Sequence, residues 1–295
     1  MKEKLDQRKN IMLLSNKKVL IFGGTGFLGK ELVKKLISDG FEDITIFSRD
    51  EGKLIELVQE YKNINILTGD IYDKFEVYQA MKEKDYIFHL AAFKHVGLAE
   101  TQSRECIKTN LIGSLNILEC STLLKPELII TTSTDKAAQV NGVYGATKYL
   151  VEELFKQFEK VNEETQYRIV RYGNVLYSTG SVLCKWKKLI QENKEIIITD
   201  PEATRFFWTV NEAVHLLFEC IENSTNSNPY CPSMKSMSMG NLLEAMILKY
   251  GNGKRPNVKQ IGLQQGENMH EMILKEGPSS ADVDKFTVEE IMELI

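Results

Sequence analysis

Three glycines, Gly23, Gly26 and Gly29, stand at three-residue intervals between a short β-rich apolar run, Lys18 to Phe22, and apolar residues at helical spacing, Phe27, Leu28, Leu32, Val33, Leu36 and Ile37. With 19 glycines in 295 residues, chance gives this spacing about 0.08 times per chain. A strand, a tight turn and a helix in that order suit a dinucleotide. Small residues let the backbone approach a pyrophosphate, whose charge then rests on the first amides and the dipole of the helix. Thr25, Phe27 and Leu28 complete the turn. The alternative is that the glycines serve only close strand–helix packing.

Short apolar strand signals recur at Asp43 to Phe47, Ile64 to Leu67, Tyr86 to Leu90, Leu128 to Thr132 and Tyr167 to Val170, with helical stretches between most of them. The longest helices are expected from about Ser103 to Ser121 and from Tyr144 to Glu159. This alternation predicts an α/β fold, a Rossmann-type doubly wound parallel sheet. After Arg171 the rhythm changes. A short strand, Ile196 to Thr199, is followed by a helix opened by the capping box Thr209-Val-Asn-Glu212, a polar break at Glu222 to Pro229 and a Met/Ser run at Ser233 to Met239. We therefore expect an N-terminal extension over 1–16, a dinucleotide-binding core over 17–172 that carries the catalytic residues, and a smaller mixed substrate lobe over 173–295, interleaved with the core.

The formal net charge of -4 offers no cationic excess for a nucleic acid. The five cysteines are scattered and make no metal-ligand spacing, which suits reduced thiols and no metal site. The apolar run Ile11 to Leu14 is too short for a signal peptide, and nothing approaches a membrane span. A cytoplasmic protein without a membrane or nucleic-acid partner is expected.

The second strand ends in Ser48-Arg49, with Lys53 a turn later. A hydroxyl and cations there attract a ribose 2′-phosphate, which favours NADP over NAD. The alternative is that Arg49 is a solvated loop charge, with Asp50 or Glu51 turned inward instead. Asp70 and Ile71, after the third strand, are placed to meet the adenine, and Ala91 and Ala92, after the fourth, are small enough to let the cofactor pass.

Tyr144-x-x-x-Lys148 puts a phenol and an ammonium on one helical face. As a bare pattern it carries nothing, because Tyr78/Lys82 and Tyr250/Lys254 fit as well. Position selects Tyr144: it alone follows a strand ending in hydroxyls, Ser133-Thr134, at the sheet edge where the cofactor would lie. There Lys148 and an oxidised nicotinamide would lower the phenol pKa. Between strand and helix stand Asp135 and Lys136, an adjacent acid and base whose bland reading is a solvated loop pair.

STDKA at 133–137, YGATK at 144–148, GGTGFLG at 23–29, AAFKHV at 91–96, IKTNLIGS at 107–114, RYGNV at 171–175, ATRFFWT at 203–209 and GENMHE at 266–271 together resemble the extended short-chain dehydrogenase/reductases. More narrowly they resemble the polysaccharide-biosynthesis branch, the inverting UDP-N-acetylglucosamine 4,6-dehydratases. The resemblance implies a tightly bound NADP recycled in each turnover, with Tyr144, Thr134 and Lys148 in the oxidation at C4, and Lys136 and Asp135 in the elimination across C5/C6. In it, Lys136 is neutral when it takes the C5 proton, hydride returns to C6 and C5 inverts. It further implies that Asn110 braces the catalytic lysine beside the cofactor, that Lys94 serves cofactor and sugar, that His95, Asn174 and Arg205 meet the UDP-sugar, that Glu267 orients Arg205, and that the protein is a homo-oligomer.

The chain departs from the family at Gln139-Val-Asn-Gly142, where Asn-Pro-Thr is usual, and at Thr101-Gln102, where Asn-Pro is usual. It ends at Ile295, earlier than typical members, which leaves sugar specificity as the least determined property. Competing readings on the same fold are a nucleotide-sugar epimerase or reductase, which needs no Asp135-Lys136 pair, and a non-catalytic NADP-binding sensor, which needs neither Tyr144 nor Lys148.

Overall fold

The computed structural model describes residues 16–264 and 266–295. All but the last residue of the expected N-terminal extension, including Ile11 to Leu14, lies outside the described residues. Seven strands form one sheet in the order β10-β6-β5-β4-β1-β2-β3, all paired in parallel. They are β1 (Val19–Phe22), β2 (Ile44–Ser48), β3 (Ile64–Thr68), β4 (Tyr86–His89), β5 (Leu128–Thr134), β6 (Gln166–Tyr172) and β10 (Pro229–Tyr230). The expected doubly wound parallel sheet is present, and the order reverses between β1 and β4, where such sheets open a crevice at their carboxyl ends.

Alternation along β1 explains the two layers. Val19 and Ile21 point into one core with Leu32, Val33 and Leu36 of α1 (Phe27–Ser38) and Leu54 and Leu57 of α2 (Glu51–Glu60). Leu20 and Phe22 point the other way. They meet Val77 and Met81 of α3 (Lys74–Met81), Ile117 and Leu118 of the long helical passage, and Val151 and Phe155 of the helix that carries Tyr144. All four β1 residues are fully buried, as a strand covered on both faces requires.

After the short α4 (Val96–Thr101), the expected helix from Ser103 is divided into α5 (Ser103–Ile107), a π-helical turn Lys108–Ile112 and α6 (Gly113–Leu124). The extra residue of the π-turn accompanies an inward-facing Asn110, and π-turns of this kind recur at functional sites. Gly113 is required just beyond it, since a Cβ there would lie 2.5 Å from Ile71 Cδ1.

The other long helix, α7 (Val143–Val161), starts at Gly142, whose φ of +148° is a backbone conformation that residues with a side chain rarely adopt. The Glu100 carboxylate accepts from Val143 N at 2.7 Å and so caps the helix from α4. Farther along α7, the fully buried Glu152 accepts two hydrogen bonds from Arg171 of β6, at 2.8 and 2.6 Å. Removing one partner of such a pair costs about 3–5 kcal/mol, so this bond ties α7 to the sheet. The same guanidinium donates to Ile273 O at 3.0 Å, fastening a C-terminal segment to the core.

The C-terminal residues build a third core around Trp186, Ile196, Phe207, Leu242 and Met246. Its elements are β7 (Asn174–Val175), α8 (Val182–Gln191), β8 (Ile196–Ile198), β9 (Thr204–Trp208), β11 (Ser236–Ser238), α10 (Met239–Tyr250), β12 (Val258–Gln260) and α11 (Val288–Leu294). Between them α9 (Val210–Asn223), opened by the expected Thr209/Glu212 capping box, returns to the main core, and β10 joins the main sheet. The Met/Ser run forms β11, and its Ser238 caps α10. Cys106, Cys120 and Cys220 are buried and all five thiols are free. Among the described residues, no helix is long and apolar enough to cross a membrane.

Candidate active site

A cleft of about 880 Å³ runs along the carboxyl ends of the central strands. Its floor at one end is the glycine turn. Gly23 has φ +83°, and Gly26 N donates to Gly23 O at 3.0 Å. A Cβ on Gly29 would come within 2.6 Å of Gly23 O, so α1 packs directly on the turn. Gly26 caps α1 without a side chain, and a helix end of that kind leaves its first amides free for an anion. Gly23, Thr25, Gly26, Phe27, Leu28 and Gly29 all line the cleft.

Beside the turn the Thr25 and Ser48 hydroxyls are 2.8 Å apart, and Ser48, Arg49 and Lys53 line the same end. Asp50 is engaged as the cap of α2, accepting from Lys53 N at 3.1 Å, and its carboxylate also pairs with Lys53 Nζ at 2.7 Å. Asp70 is not among the lining residues, although its neighbours Gly69 and Ile71 are. Its carboxylate accepts from Tyr72 N at 3.0 Å and lies 3.7 Å from Arg49, so it turns toward the following loop and the cation rather than an adenine.

Ala91, Ala92, Lys94 and His95 line the middle of the cleft, the last two at its exposed rim. Asn110 does not line it. Its Oδ1 accepts from Phe93 N at 2.7 Å while its Nδ2 donates to Phe93 O at 3.0 Å and to Thr147 Oγ1 at 3.0 Å. The side chain therefore clamps the lining loop after β4 to the turn of α7 that carries Lys148. Gly180 packs against His95, where a Cβ would lie 2.8 Å from Cε1.

At the other end β5 delivers Ser133 and Thr134, a 3₁₀ turn presents Asp135 and Lys136, and the first turns of α7 present Tyr144 and Lys148, all lining the cleft. A Cβ on Gly145 would collide with the Lys136 carbonyl, which is why helix and turn can sit so close. Thr134 Oγ1 donates to Asp135 Oδ1 at 2.8 Å, and Lys136 Nζ donates to the same oxygen at 3.2 Å. Asp135 Oδ2 and Ser133 Oγ are buried with no hydrogen-bond partner among the described residues. Buried polar atoms of this kind are rare in folded proteins, and both belong to residues that face the cleft.

Burial and the neighbouring carboxylates set the electrostatics of this group. Burial raises the Tyr144 phenol above its usual 10, Asp135 adds to this, and Thr134 opposes it, so the protein alone does not activate the tyrosine. For Lys136, burial favours the neutral amine, but the Asp135 and Glu271 carboxylates outweigh it and hold the ammonium above 10.5. It is held as the ammonium in the resting site, so the base role that the resemblance implies requires it to give up that proton during the reaction. Lys148 follows the simple rule, since burial lowers it to about 8.

Glu271 went unnoticed in the sequence. Only 1% exposed, it accepts from Lys136 Nζ at 2.7 Å and lies 3.7 Å from Arg205 Nε. Glu267, expected to orient Arg205, instead closes its own turn by accepting from Gln264 N at 3.1 Å. Nor does Arg205 line the cleft: its guanidinium is buried and donates to Thr204 O at 2.8 Å and Met269 O at 3.0 Å. It anchors the segment bearing Glu271 and is not presented to a diphosphate. Asn174 does line the cleft, as do the unforeseen Tyr172, Gly173 and Ser178.

The sequence matches the family described as "Polysaccharide biosynthesis protein" over residues 19–293. It is 35% identical over 275 residues to a UDP-N-acetylglucosamine 4,6-dehydratase (inverting) of Campylobacter jejuni, covering 90% of this chain and 80% of that one. It is 31% identical over 267 residues to a UDP-glucose 4-epimerase of Rickettsia bellii, covering 88% and 78%. Among solved structures it is similar to Pen from Bacillus thuringiensis, with a TM-score of 0.89, 31% identity and coverage of 96% of this chain and 97% of that one. With the glycine turn, the STDKA turn and the Tyr144/Lys148 pair meeting in one cleft, the chain belongs to the polysaccharide-biosynthesis branch of the extended short-chain dehydrogenase/reductases.

Proposed function

We propose that the protein is an NADP-dependent nucleotide-sugar dehydratase, converting UDP-N-acetylglucosamine to a 4-keto-6-deoxy sugar with inversion at C5. The observation that carries this reading is the Thr134–Asp135–Lys136 group in the same cleft as Tyr144 and Lys148. Oxidation at C4 alone, as in an epimerase, needs no second acid and base. The 35% identity to an enzyme named for this reaction supports the same choice.

The cleft fits a dinucleotide, with the first turn of α1, uncapped by any side chain, at one end and the Thr25/Ser48 hydroxyls beside Arg49 and Lys53. When bound, NADP supplies a hydride acceptor that later returns the hydride, together with a positive charge at the nicotinamide. That charge and the Lys148 ammonium offset the burial that raises the Tyr144 phenol. Tyr144 then takes the proton of the C4 hydroxyl, and the C4 ketone acidifies C5–H. Moving one proton across the 3.2 Å between Lys136 and Asp135 turns their ion pair into an amine and a carboxylic acid without changing net charge. The amine removes the C5 proton and the acid protonates the departing C6 oxygen, which leaves as water. Lys136 and Asp135 are then back in their resting ion pair. As hydride returns to C6, a proton from solvent reaches C5 on the opposite face and inverts it, and Tyr144 releases the proton it took to solvent, which closes the balance. We place this enzyme in the cytoplasm, as a homo-oligomer.

Product identity tests the reading. Purified protein incubated with UDP-N-acetylglucosamine and no added reductant should give a 6-methyl, 4-keto product by NMR, with the C5 configuration inverted. A 4-epimer with C6 intact would establish the epimerase instead.

The cofactor preference is tested separately. Arg49→Glu removes the cation nearest Ser48 and adds a carboxylate. A charge-assisted hydrogen bond contributes about 1.5–3 kcal/mol, so NADP affinity should fall roughly 10- to 150-fold, with NAD affinity little changed. Titration of both cofactors by protein fluorescence reads this directly, and equal losses for the two would refute a 2′-phosphate contact.

A further inference from the structure

Lys136 is held from two sides, and the second side comes from the opposite half of the chain. The Glu271 carboxylate reaches it at 2.7 Å, closer than Asp135 at 3.2 Å. Everything around Glu271 fixes it in place. Its backbone N–H donates to Ser280 Oγ at 2.8 Å, Ser280 N donates back to Glu271 O at 2.8 Å, and Ser280 Oγ donates to Thr204 O at 3.0 Å. Its second oxygen accepts from Asn268 Nδ2 at 3.1 Å. Arg205 braces the segment through Met269 O. Such a lattice of bonds allows the carboxylate little freedom, and the amine it grips is one that lines the cleft.

We infer that Glu271 is the positioning residue of the dehydration step: it aims the Lys136 amine into the cleft and decides when that amine carries a proton. This rests on the proposed reaction. A base on a flexible lysine needs a partner to fix it in reach of one carbon, and a carboxylate does so through a charge-assisted bond. The same bond stabilises the ammonium, so it opposes release of the proton. The groups facing Lys136 are Asp135 from its own turn, Glu271 from the C-terminal segment and Arg205 from β9. Tyr144 of α7 faces Asp135, and His270 sits next to Glu271 with Nδ1 at 2.8 Å from Thr204 Oγ1. Two carboxylates and two cations balance in the resting cluster. Arg205 Nε lies 3.7 Å from the Glu271 carboxylate, which holds the Lys136 ammonium at 2.7 Å until the proton moves to Asp135.

Glu271→Gln keeps the shape and removes the charge. An opposite charge at this range moves a lysine by about 1–3 pH units, so the amine should become available at lower pH by about that much. The experiment is pH-dependent acetylation of Lys136 by trace acetic anhydride, read by peptide mass spectrometry on NADP-loaded protein without sugar. The midpoint for Glu271→Gln should lie about 1–3 units below the native one. The acid limb of C5 solvent-deuterium exchange should move in parallel. An unmoved midpoint overturns the inference even if activity is lost, since loss alone is what a merely structural residue would give. If Glu271→Gln does not fold, Glu271→Asp withdraws the carboxylate by one methylene, and its midpoint should fall part of the way; a native midpoint there overturns it equally. Because labelling needs no substrate, it reads the Glu271–Lys136 link even if the dehydratase reading fails in the product assay.

Discussion

Lys136→Ala is expected to stop elimination while leaving oxidation intact. A positioned general base contributes about 10²–10⁴-fold, and product formation should fall by that factor. On rapid mixing with the sugar nucleotide, the absorbance of reduced nicotinamide should still rise, and then persist, because the C4 ketone forms but cannot proceed. Solvent deuterium should no longer enter C5. The substitution also leaves Asp135 and Glu271 facing one another with only Arg205 to offset them, so cofactor binding is measured alongside as a check on folding. Full deuterium exchange at C5 in a folded Lys136→Ala protein would show that another group is the base.

Tyr144→Phe is expected to arrest the reaction one step earlier. Phe retains the ring and loses only the hydroxyl. No reduced nicotinamide should form, the rate should fall about 10²–10⁴-fold, and C5 exchange should vanish as well, because its acidity depends on the ketone. The phenol starts above 10 through burial and Asp135, so in the native enzyme the oxidation rate should climb with pH up to the value at which the bound complex ionises. Stopped-flow absorbance checks both. A Tyr144→Phe protein that still reduced its nicotinamide at the native rate would remove the tyrosine from its assigned place. The two variants together order the steps, since only Lys136→Ala should accumulate the oxidised sugar.

The parts of this fold that were legible in the sequence are those governed by local rules. The glycine spacing, the buried strands and the Thr209/Glu212 capping box each depend on residues a few positions apart, and they recur in the structure within one or two residues. The cluster of Ser133, Thr134, Asp135, Lys136, Tyr144 and Lys148 was legible for the same reason, being one strand end, one turn and one helix start. What escaped was set by distant contacts. Glu267 and Glu271 occur in one short motif, and nothing local says which of them reaches a lysine 135 residues earlier. Arg205 reads as a phosphate ligand by residue type, but Thr204 O and Met269 O capture it. Asp70 reads as a ligand by its place after a strand, but Tyr72 N and Arg49 turn it aside. Charge states were the least legible of all. The sequence shows Lys136 beside one acid, whereas the fold sets it between two.

The central claim is that one cleft takes hydride from C4 and gives the same hydride to C6. UDP-N-acetylglucosamine carrying deuterium at C4, incubated with the protein in ordinary water without added reductant, tests it in one NMR spectrum. The account predicts a 4-keto product with the deuterium in its 6-methyl group. Deuterium retained at C4, or a methyl group free of it, would contradict the account.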